Sequence, residues 1–529
     1  MKRNRQNKTG SFIPSFLAPL EILMKPTRSR STSLLILLLG VFLLAVFLIS
    51  GPAAFAGDTQ AAEDAPASED ATAEDASFDP AGDWQGTLTV PGADLRLVFH
   101  ITRTDDGLST TVDSIDQGTN SIPTSSTTFK NGKLHVKLPA IGGSYKAKLK
   151  DDGTFSGTWS QGGANLRLDL ERQTEKLELK RPQEPKEPFP YHSEVVTFPS
   201  AESGGAEGDD VVLAGTLTRP KGDGPFPAAI LISGSGPQDR DESLMGHRPF
   251  FVLADHLTRQ GIAVLRYDDR GTAESTGNFS TATSLDFSFD TLGAVRFLKE
   301  QKKIGPIGLI GHSEGGLIAP MVAAGDDDVA FVVLLAGPGT TGKEILLDQT
   351  GLLYQGRGTV QARLDELRKL QIHVYDRIMV GDIDEDALKG ALKELIDFQS
   401  GGTLSDKDMK TQIDGSFQTL TSPWFRFFLG HDPATMLEGV EQPVLALNGE
   451  KDIQVPAERN LKAIADALKK AGNTNFETES MPGLNHLFQT ADTGLPDEYA
   501  KIEETFAPVA LNRISEWILK HAQKADSPK

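Results

Sequence analysis

The chain has 529 residues, which is too long for a single hydrophobic core and predicts two or three domains. It carries a formal net charge of −20 and contains no cysteine. The acidic balance argues against nucleic acids and anionic membranes as partners. The absence of cysteine excludes a thiol nucleophile, a cysteine-based zinc site and a lipid anchor on cysteine.

Residues 1–56 differ in composition from the rest of the chain. Seven basic residues oppose only Glu21, and an apolar run over residues 34–49 precedes Ala54 and Ala56. This pattern is typical of a secretory signal peptide cleaved after Ala56, so we expect export to the periplasm or the extracellular space. An uncleaved, outward-facing membrane anchor is the alternative, because the apolar run is only slightly short for a span. Without this segment, 46 basic and 72 acidic residues remain, a net charge of about −26.

Three further segments precede the main domain. Residues 57–79 hold eight carboxylates, no basic residue and one aromatic residue, so we expect a disordered acidic linker. Residues 80–173 contain short runs of alternating polar and apolar residues, such as TFSGTWS, separated by Asp-Asp-Gly, Asn-Gly and Gly-Gly turns. They predict a small antiparallel all-β domain, either a barrel or a sandwich. The Pro- and Glu-rich residues 174–192 are expected to form a stiff connector.

Residues 193–524 alternate apolar runs with helical patterns, before a short tail at 525–529. The alternation predicts a doubly wound, mostly parallel sheet, which is an α/β fold. Residues 340–437 are helical and amphipathic and add no obvious strand, so we expect a helical cap over the carboxyl edge of the sheet. The expected strands are 228–234, 262–268, 307–313, 329–337 and 443–449, and the clearest expected helices are 249–259 and 285–301.

One serine lies between two glycines, directly after an apolar run. Ser313 stands in the sequence Gly-His-Ser-Glu-Gly, between an expected strand and an expected helix. A strand that turns at once into a helix is crowded, and small residues at Gly311 and Gly315 relieve the crowding. The turning residue is then strained and its side chain projects from the sheet edge, as in the nucleophile elbow of a hydrolase.

Two further residues complete a catalytic triad in the required order. Asp452 follows the expected strand 443–449, and His486 lies in a loop 34 residues later. Active groups collect outside the carboxyl ends of the strands in such a sheet. A serine hydroxyl needs an imidazole to accept its proton, and the imidazole needs a carboxylate on its other nitrogen. We therefore predict Ser313 as nucleophile, His486 as base and Asp452 as its orienting acid.

The oxyanion hole is predicted from two backbone N–H groups. One belongs to Glu314, which opens the helix after the nucleophile. The other belongs to Ser235 in the flexible Ser-Gly-Ser-Gly segment after the first expected strand, with Gly236 as the alternative. The side chains of His312 and Glu314 point away from Ser313, so neither is expected to be the base. No sequence pattern implies a metal or a nucleotide cofactor.

The segments SGSGPQDRD, RYDDRGTAESTGNF, GLIGHSEGGLIAP, NGEKDIQVP and GLNH together resemble a bacterial branch of the α/β-hydrolase superfamily. That branch contains exported esterases and is related to serine aminopeptidase-like hydrolases. The resemblance covers about residues 194–521, and residues 84–172 resemble a β module found ahead of some of these hydrolases. The resemblance implies an α/β-hydrolase fold, and it places the family's nucleophile, acid and base on Ser313, Asp452 and His486. The charged residues Asp239, Arg240 and 268–270 fall in loops that support the oxyanion segment in this reading.

The resemblance implies a carboxylesterase that acts on a small ester without a cofactor. A serine aminopeptidase-like peptidase or a thioesterase is the first alternative. A further alternative is a cell-envelope binding protein whose hydrolase domain is vestigial. No nucleic acid partner is expected, and no stable membrane partner unless the signal segment stays uncleaved.

Overall fold

A computed structural model describes residues 78–90, 93–105, 107–117, 119–161, 164–175, 180–201 and 211–525. The predicted signal segment and nearly all of the acidic linker lie outside the described residues. No helix in the described ranges combines the length and the apolar character needed to cross a membrane.

The predicted all-β domain is a closed antiparallel barrel. Eight strands pair in the ring order β1, β2, β3, β5, β6, β7, β8 and β9, with β9 returning to β1, while β4 pairs with β3 outside the ring. Because the ring is closed, its eight strands leave no unpaired sheet edge among themselves. The strands are β1 Gly82–Val90, β2 Ala93–Thr104, β3 Gly107–Ser114, β4 Thr119–Pro123, β5 Ser126–Lys130, β6 Lys133–Leu138, β7 Gly143–Leu149, β8 Phe155–Gln161 and β9 Ala164–Arg172.

Aromatic side chains fill the inside of the barrel. Trp84, Phe99, Tyr145 and Phe155 are all fully buried there. Phe78, which the sequence analysis assigned to the acidic linker, packs its ring 6.0 Å from both Trp84 and Phe155. The folded domain therefore begins two residues earlier than residue 80.

The second domain is built on one mixed sheet in the strand order β10-β11-β13-β12-β14-β15-β16-β17. The pairs β10–β11 and β11–β13 are antiparallel, and the pairs from β13 to β17 are parallel. All five expected strands are present. β10 and β11 were not expected, because β10 is mostly exposed and the buried residues of β11 include glycine and threonines in place of a continuous apolar run. The strands are β10 His192–Pro199, β11 Val212–Arg219, β12 Phe226–Ile232, β13 Ala263–Tyr267, β14 Ile304–His312, β15 Val329–Leu335, β16 Val444–Gly449 and β17 Phe476–Met481.

Helices cover both faces of this sheet and its carboxyl edge. Helices α2, α3 and α10 pack on one face, and α1 and α11 pack on the other. Helices α4 to α9 lie between β15 and β16; α4 to α8 form the expected cap with a core of their own, while the short helix α9 packs on the core of the sheet through Leu437. The helices are α1 Pro249–Arg259, α2 Ser284–Lys299, α3 Gly315–Ala323, α4 Gly342–Gly356, α5 Gln361–Ile378, α6 Glu385–Ser400, α7 Asp406–Leu420, α8 Pro423–Gly430, α9 Ala434–Leu437, α10 Ala457–Lys470 and α11 Pro508–Ala525.

The connector is more than a spacer, which corrects the expectation for residues 174–192. Gln183 accepts hydrogen bonds from the N–H groups of Thr505 and Phe506 at 2.6 and 3.0 Å. Among the described residues, the guanidinium of Arg181 donates to five backbone carbonyls, at 2.8 to 3.0 Å. Those carbonyls belong to Lys180, Met245, Gly246, Ala500 and Ile502. The hydrogen-bonded unit of the α/β domain therefore includes residues from about 181, ahead of the boundary expected at residue 193.

Candidate active site

Ser313 occupies the sharp turn that its sequence predicts. It has a positive φ of 52°, a left-handed conformation that is rare for a residue with a side chain. A Cβ atom on Gly311 would lie 2.0 Å from the carbonyl oxygen of Gly315, and one on Gly315 would lie 2.1 Å from that of Ile232. The two glycines are therefore required for β14 to turn directly into α3.

His486 and Asp452 are brought together by the loops after β17 and β16. The Nδ1–H of His486 donates to Oδ2 of Asp452 at 2.8 Å. The other carboxylate oxygen of Asp452 accepts the N–H groups of Gln454 and Val455 at 2.8 and 2.9 Å. These bonds fix the carboxylate, which in turn fixes the tautomer and the orientation of the imidazole.

The loop of His486 lies directly beside the elbow. The ring centroids of His312 and His486 are 4.9 Å apart, and Nε2 of His312 donates to the backbone oxygen of His486 at 3.0 Å. The three predicted triad residues are buried: Ser313 is 7% exposed, Asp452 4% and His486 1%. The site therefore lies in an environment of low dielectric, where electrostatic interactions are strong.

The segment after β12 passes next to the nucleophile. A Cβ atom on Gly234 would lie 3.2 Å from Cβ of Ser313. The N–H of Gly234 is occupied, because it donates to Oε1 of Glu242 at 2.7 Å. No hydrogen bond to another described residue engages the N–H groups of Ser235 or Glu314. These two donors are the ones that the sequence predicts for the oxyanion hole, and that role stays a prediction.

His312 holds this segment from one side of the elbow. Its Nδ1 lies 2.8 Å from Oε1 of Glu242, the same oxygen that binds Gly234. Burial alone would lower the pKa of His312, but the charge of Glu242 and the hydrogen bond to it raise that pKa above its ordinary value. Both ring nitrogens face acceptors, which suits the protonated ring.

The carboxyl group of Glu314 binds two other elements beside the elbow. Its buried Oε1 accepts hydrogen bonds from Oγ of Ser284 at 2.6 Å and from Nε1 of Trp424 at 2.8 Å. Burial raises the pKa of Glu314, and the hydrogen bonds from Ser284 and Trp424 oppose the rise.

Charged residues of the neighbouring loops bind the oxyanion segment; Asp268 is buried, and Arg240 and Asp269 are half-buried. Arg240 forms a bidentate pair with Asp268, at 2.9 and 2.6 Å. Asp269 accepts hydrogen bonds from Oγ of Ser233 and from the N–H of Gln238 at 2.8 and 2.9 Å. Burial raises the pKa of Asp269 well above its ordinary value. These contacts agree with the supporting role expected for residues 268–270.

Sequence reasoning missed three residues of this site: Glu242, Ser284 and Trp424. Glu242 has a positive φ of 52° in an irregular loop, and nothing in its sequence context marks it as a partner of His312. Trp424 lies in the cap, 110 residues after Glu314. The one available signal was a carboxylate next to a predicted nucleophile, since such a buried charge requires hydrogen-bond donors.

Comparison with known proteins gives matches over the α/β domain. A family model described as serine aminopeptidase, S33, matches residues 248–381. Esterase EstD of Thermotoga maritima is 28% identical over 311 residues, which are 58% of this chain and 66% of EstD, just under two thirds of its length.

Two solved structures are also similar to this chain. An esterase of Pyrococcus furiosus is 16% identical with a TM-score of 0.38, over 63% of this chain and 92% of its own. Est1E of Butyrivibrio proteoclasticus with bound ferulic acid is 18% identical with a TM-score of 0.35, over 60% of this chain and 98% of its own.

The strand order, the cap between β15 and β16 and the strained turn at Ser313 agree with the family match. The antiparallel barrel precedes this domain as a separate sheet. The chain therefore contains a domain with an α/β-hydrolase fold that is similar to the serine aminopeptidase, S33, family, and a β-barrel domain lies ahead of it in the sequence.

Proposed function

We propose that the protein is a serine carboxylesterase that works outside the cytoplasm. The observation that carries the proposal is the Asp452–His486 pair, at 2.8 Å, beside a strained serine at the end of β14. The similarity to an esterase over 58% of this chain supports the choice of ester bonds. The proposed export rests on the signal-like composition of residues 1–56 alone.

The proposed reaction proceeds through an acyl-enzyme. Oγ of Ser313 attacks the ester carbonyl carbon while His486 takes the hydroxyl proton and Asp452 stabilises the imidazolium. The N–H groups of Glu314 and Ser235 bind the oxyanion. The C–O bond to the alcohol breaks, and the alcohol leaves with the proton from His486. Water then attacks the acyl group, returns a proton through His486 to Ser313, and releases the acid.

The alternative within hydrolases is a peptidase with an acyl-enzyme on the same serine. The description of the matching family model as a serine aminopeptidase favours it. An aminopeptidase needs acidic groups to bind the substrate amine. A thioesterase would use the same residues on a sulfur leaving group.

A hydrolysis panel on the purified mature chain tests the proposal. We expect turnover of short-chain p-nitrophenyl esters and little turnover of aminoacyl p-nitroanilides, with acyl-thioesters as a third set. Preferred cleavage of the anilides would replace the esterase by the peptidase. No turnover of any set, together with no labelling of Ser313 by a fluorophosphonate, would favour the binding protein with a vestigial hydrolase domain.

A further inference from the structure

The carboxyl group of Glu314 connects the nucleophile elbow to two other elements. Ser284 is the first residue of α2, and Trp424 belongs to cap helix α8. Glu314 is 2% exposed, so these donors replace water around its carboxyl group. A buried carboxyl group that loses such donors is destabilised, so the elbow, α2 and α8 are fixed relative to one another.

The Trp424 end of this connection is held by the cap. The indole ring stacks on Phe428, with the centroids 5.3 Å apart and an interplanar angle of 7°. Phe428 packs with Ile345 of α4, and with Leu317 and Val455 from beside Ser313 and Asp452. The indole N–H therefore reaches Glu314 only when α8 is seated over the elbow.

The other end of this connection lies at the predicted oxyanion hole. The backbone N–H of Glu314 is one of the two predicted donors, and the N–H of Ser235 is the other. A shift of the Glu314 side chain therefore displaces its own backbone N–H relative to that of Ser235. An oxyanion donor acts fully only within about 2.7–3.1 Å of the developing charge, so this displacement weakens transition-state binding.

We propose that the Glu314 side chain is a positioning residue that couples closure of the cap, through Trp424, to the geometry of the oxyanion hole. This inference rests on the proposed serine chemistry at Ser313, and it extends that chemistry to a role for the cap. The side chain itself need not touch the substrate. Seating of the cap then completes the site for the transition state.

The rate at which a fluorophosphonate modifies Ser313 is the first readout, because it requires the oxyanion hole but not an ester substrate. We expect Glu314→Ala to lower this rate by about 100-fold and Trp424→Phe by about 10-fold, the range for a lost or displaced oxyanion donor. Glu314→Gln should keep most of the rate, since the amide oxygen still accepts the same hydrogen bonds. The Glu314→Ala/Trp424→Phe double variant should be no slower than Glu314→Ala, because the two residues act as one unit.

A matched pair elsewhere in the domain serves as the control. Nε1 of Trp517 donates to Oε1 of Glu477 at 3.2 Å, far along the chain from the elbow. Trp517→Phe and Glu477→Ala remove a similar indole–carboxylate bond, and both should leave the labelling rate within about twofold, as for a change outside the site. Melting temperatures of all variants report whether each one is folded.

The ester kinetics supply the second readout. We expect kcat to fall with the labelling rate while KM changes little, which marks an interaction made only in the transition state. Equal effects in the control pair, a change confined to KM, or additive losses in the double variant would overturn the coupling. If the wild-type protein is labelled but cleaves no ester, the esterase proposal fails while the labelling rates still decide this inference. If Ser313 is not labelled in the wild type, both proposals are overturned.

Discussion

The two domains bury polar groups in opposite ways. The barrel places Trp84, Phe99 and Phe155 at its centre, and the buried hydroxyl of Tyr145 is satisfied by the backbone oxygen of Leu168 at 3.0 Å. The hydrolase domain instead buries charged and titratable groups around Ser313. These groups include Glu242, Asp268, Asp290, His312, Glu314, Asp452 and His486.

Because of this difference, burial serves mainly the stability of the barrel, whereas in the hydrolase domain it serves the positioning of groups around Ser313. An aromatic interior gains free energy simply by leaving water, in any arrangement that packs well. A buried charge is tolerated only when its hydrogen bonds are made, so each one specifies the position of its partners. The barrel is therefore expected to tolerate changes that do not alter its packing. The activity of the hydrolase site is expected to fall when a single hydrogen-bonding atom is removed.

The largest effect is expected at the nucleophile. Ser313→Ala removes the attacking oxygen, and ester turnover should fall by about 10⁴–10⁶-fold, since triad residues act as a unit. The rate is measured with a p-nitrophenyl ester, and fluorophosphonate labelling should disappear. Ser280→Ala, which removes an exposed hydroxyl, provides the control. Activity retained in Ser313→Ala would show that another residue is the nucleophile.

The next effect is expected at the acid. Asp452→Asn keeps the shape of the side chain but loses the charge that stabilises the imidazolium and selects its tautomer. We expect kcat to fall by about 10⁴-fold, while the melting temperature stays within a few degrees of that of the wild type. A rate close to that of the wild type would show that a carboxylate other than Asp452 orients His486.

An intermediate effect is expected from shortening the connector. A domain boundary at residue 193 would make a chain beginning at Tyr191 fully active. The hydrogen bonds of Arg181 and Gln183 argue against this, because they hold the segments 245–246 and 500–506. A chain beginning at Lys180 should keep kcat within about tenfold of the full chain, since its site is complete.

The chain beginning at Tyr191 should melt at a lower temperature and lose more activity than the chain beginning at Lys180. Arg181→Ala in the full chain should lower the melting temperature in the same direction. Equal activity and stability of the two shortened chains would show that the connector is only a spacer.

A change inside the barrel is expected to affect stability without affecting the chemistry. Phe155→Ala removes a ring that packs 4.6 Å from the Trp84 ring, and the barrel should lose about 3–5 kcal/mol of unfolding free energy. The ester kcat should stay within about twofold, because no predicted catalytic residue lies in this domain. Denaturant unfolding and kinetics on the same sample measure both. A fall in kcat alongside the loss of stability would show that the barrel contributes to the active site.

The smallest effect is expected from the His312–Glu242 pair, as a function of pH. The pKa of His312 is raised above 6.5 in the folded protein, so the pair stabilises the fold fully below the unfolded-state value of about 6.5. This stabilisation is lost as the pH rises through the raised pKa. The melting temperature of Glu242→Gln should therefore lie below that of the wild type most clearly at pH 6, and the gap should narrow toward pH 9. A gap that widens with pH would contradict a charged His312.

The sequence predicts the parts of the fold that depend on local pattern. Buried parallel strands such as β15 are continuous apolar runs, and the turn at Ser313 needs glycines at fixed positions, so both can be read from residue order. The same reasoning predicts that neither His312 nor Glu314 is the base. It cannot identify the partners of their side chains, because Glu242 lies 70 residues away in an irregular loop and Trp424 lies 110 residues away in a cap helix. The connector was misjudged for the same reason, since Arg181 binds backbone carbonyls that no residue type marks.

The hydrogen bonds of Arg181 also bear on when the protein becomes active during its synthesis. Arg181 binds carbonyl oxygens that lie 319 and 321 residues further along the chain. At about 5–20 residues per second, a ribosome needs roughly 15–60 s to make that length. The barrel, by contrast, is complete once Arg172 has been made, because its ring closes between β1 and β9. We therefore expect a nascent chain to carry a folded barrel well before it carries a hydrolase, and pulse-labelled ribosome-bound chains tested for fluorophosphonate reactivity would show the delay.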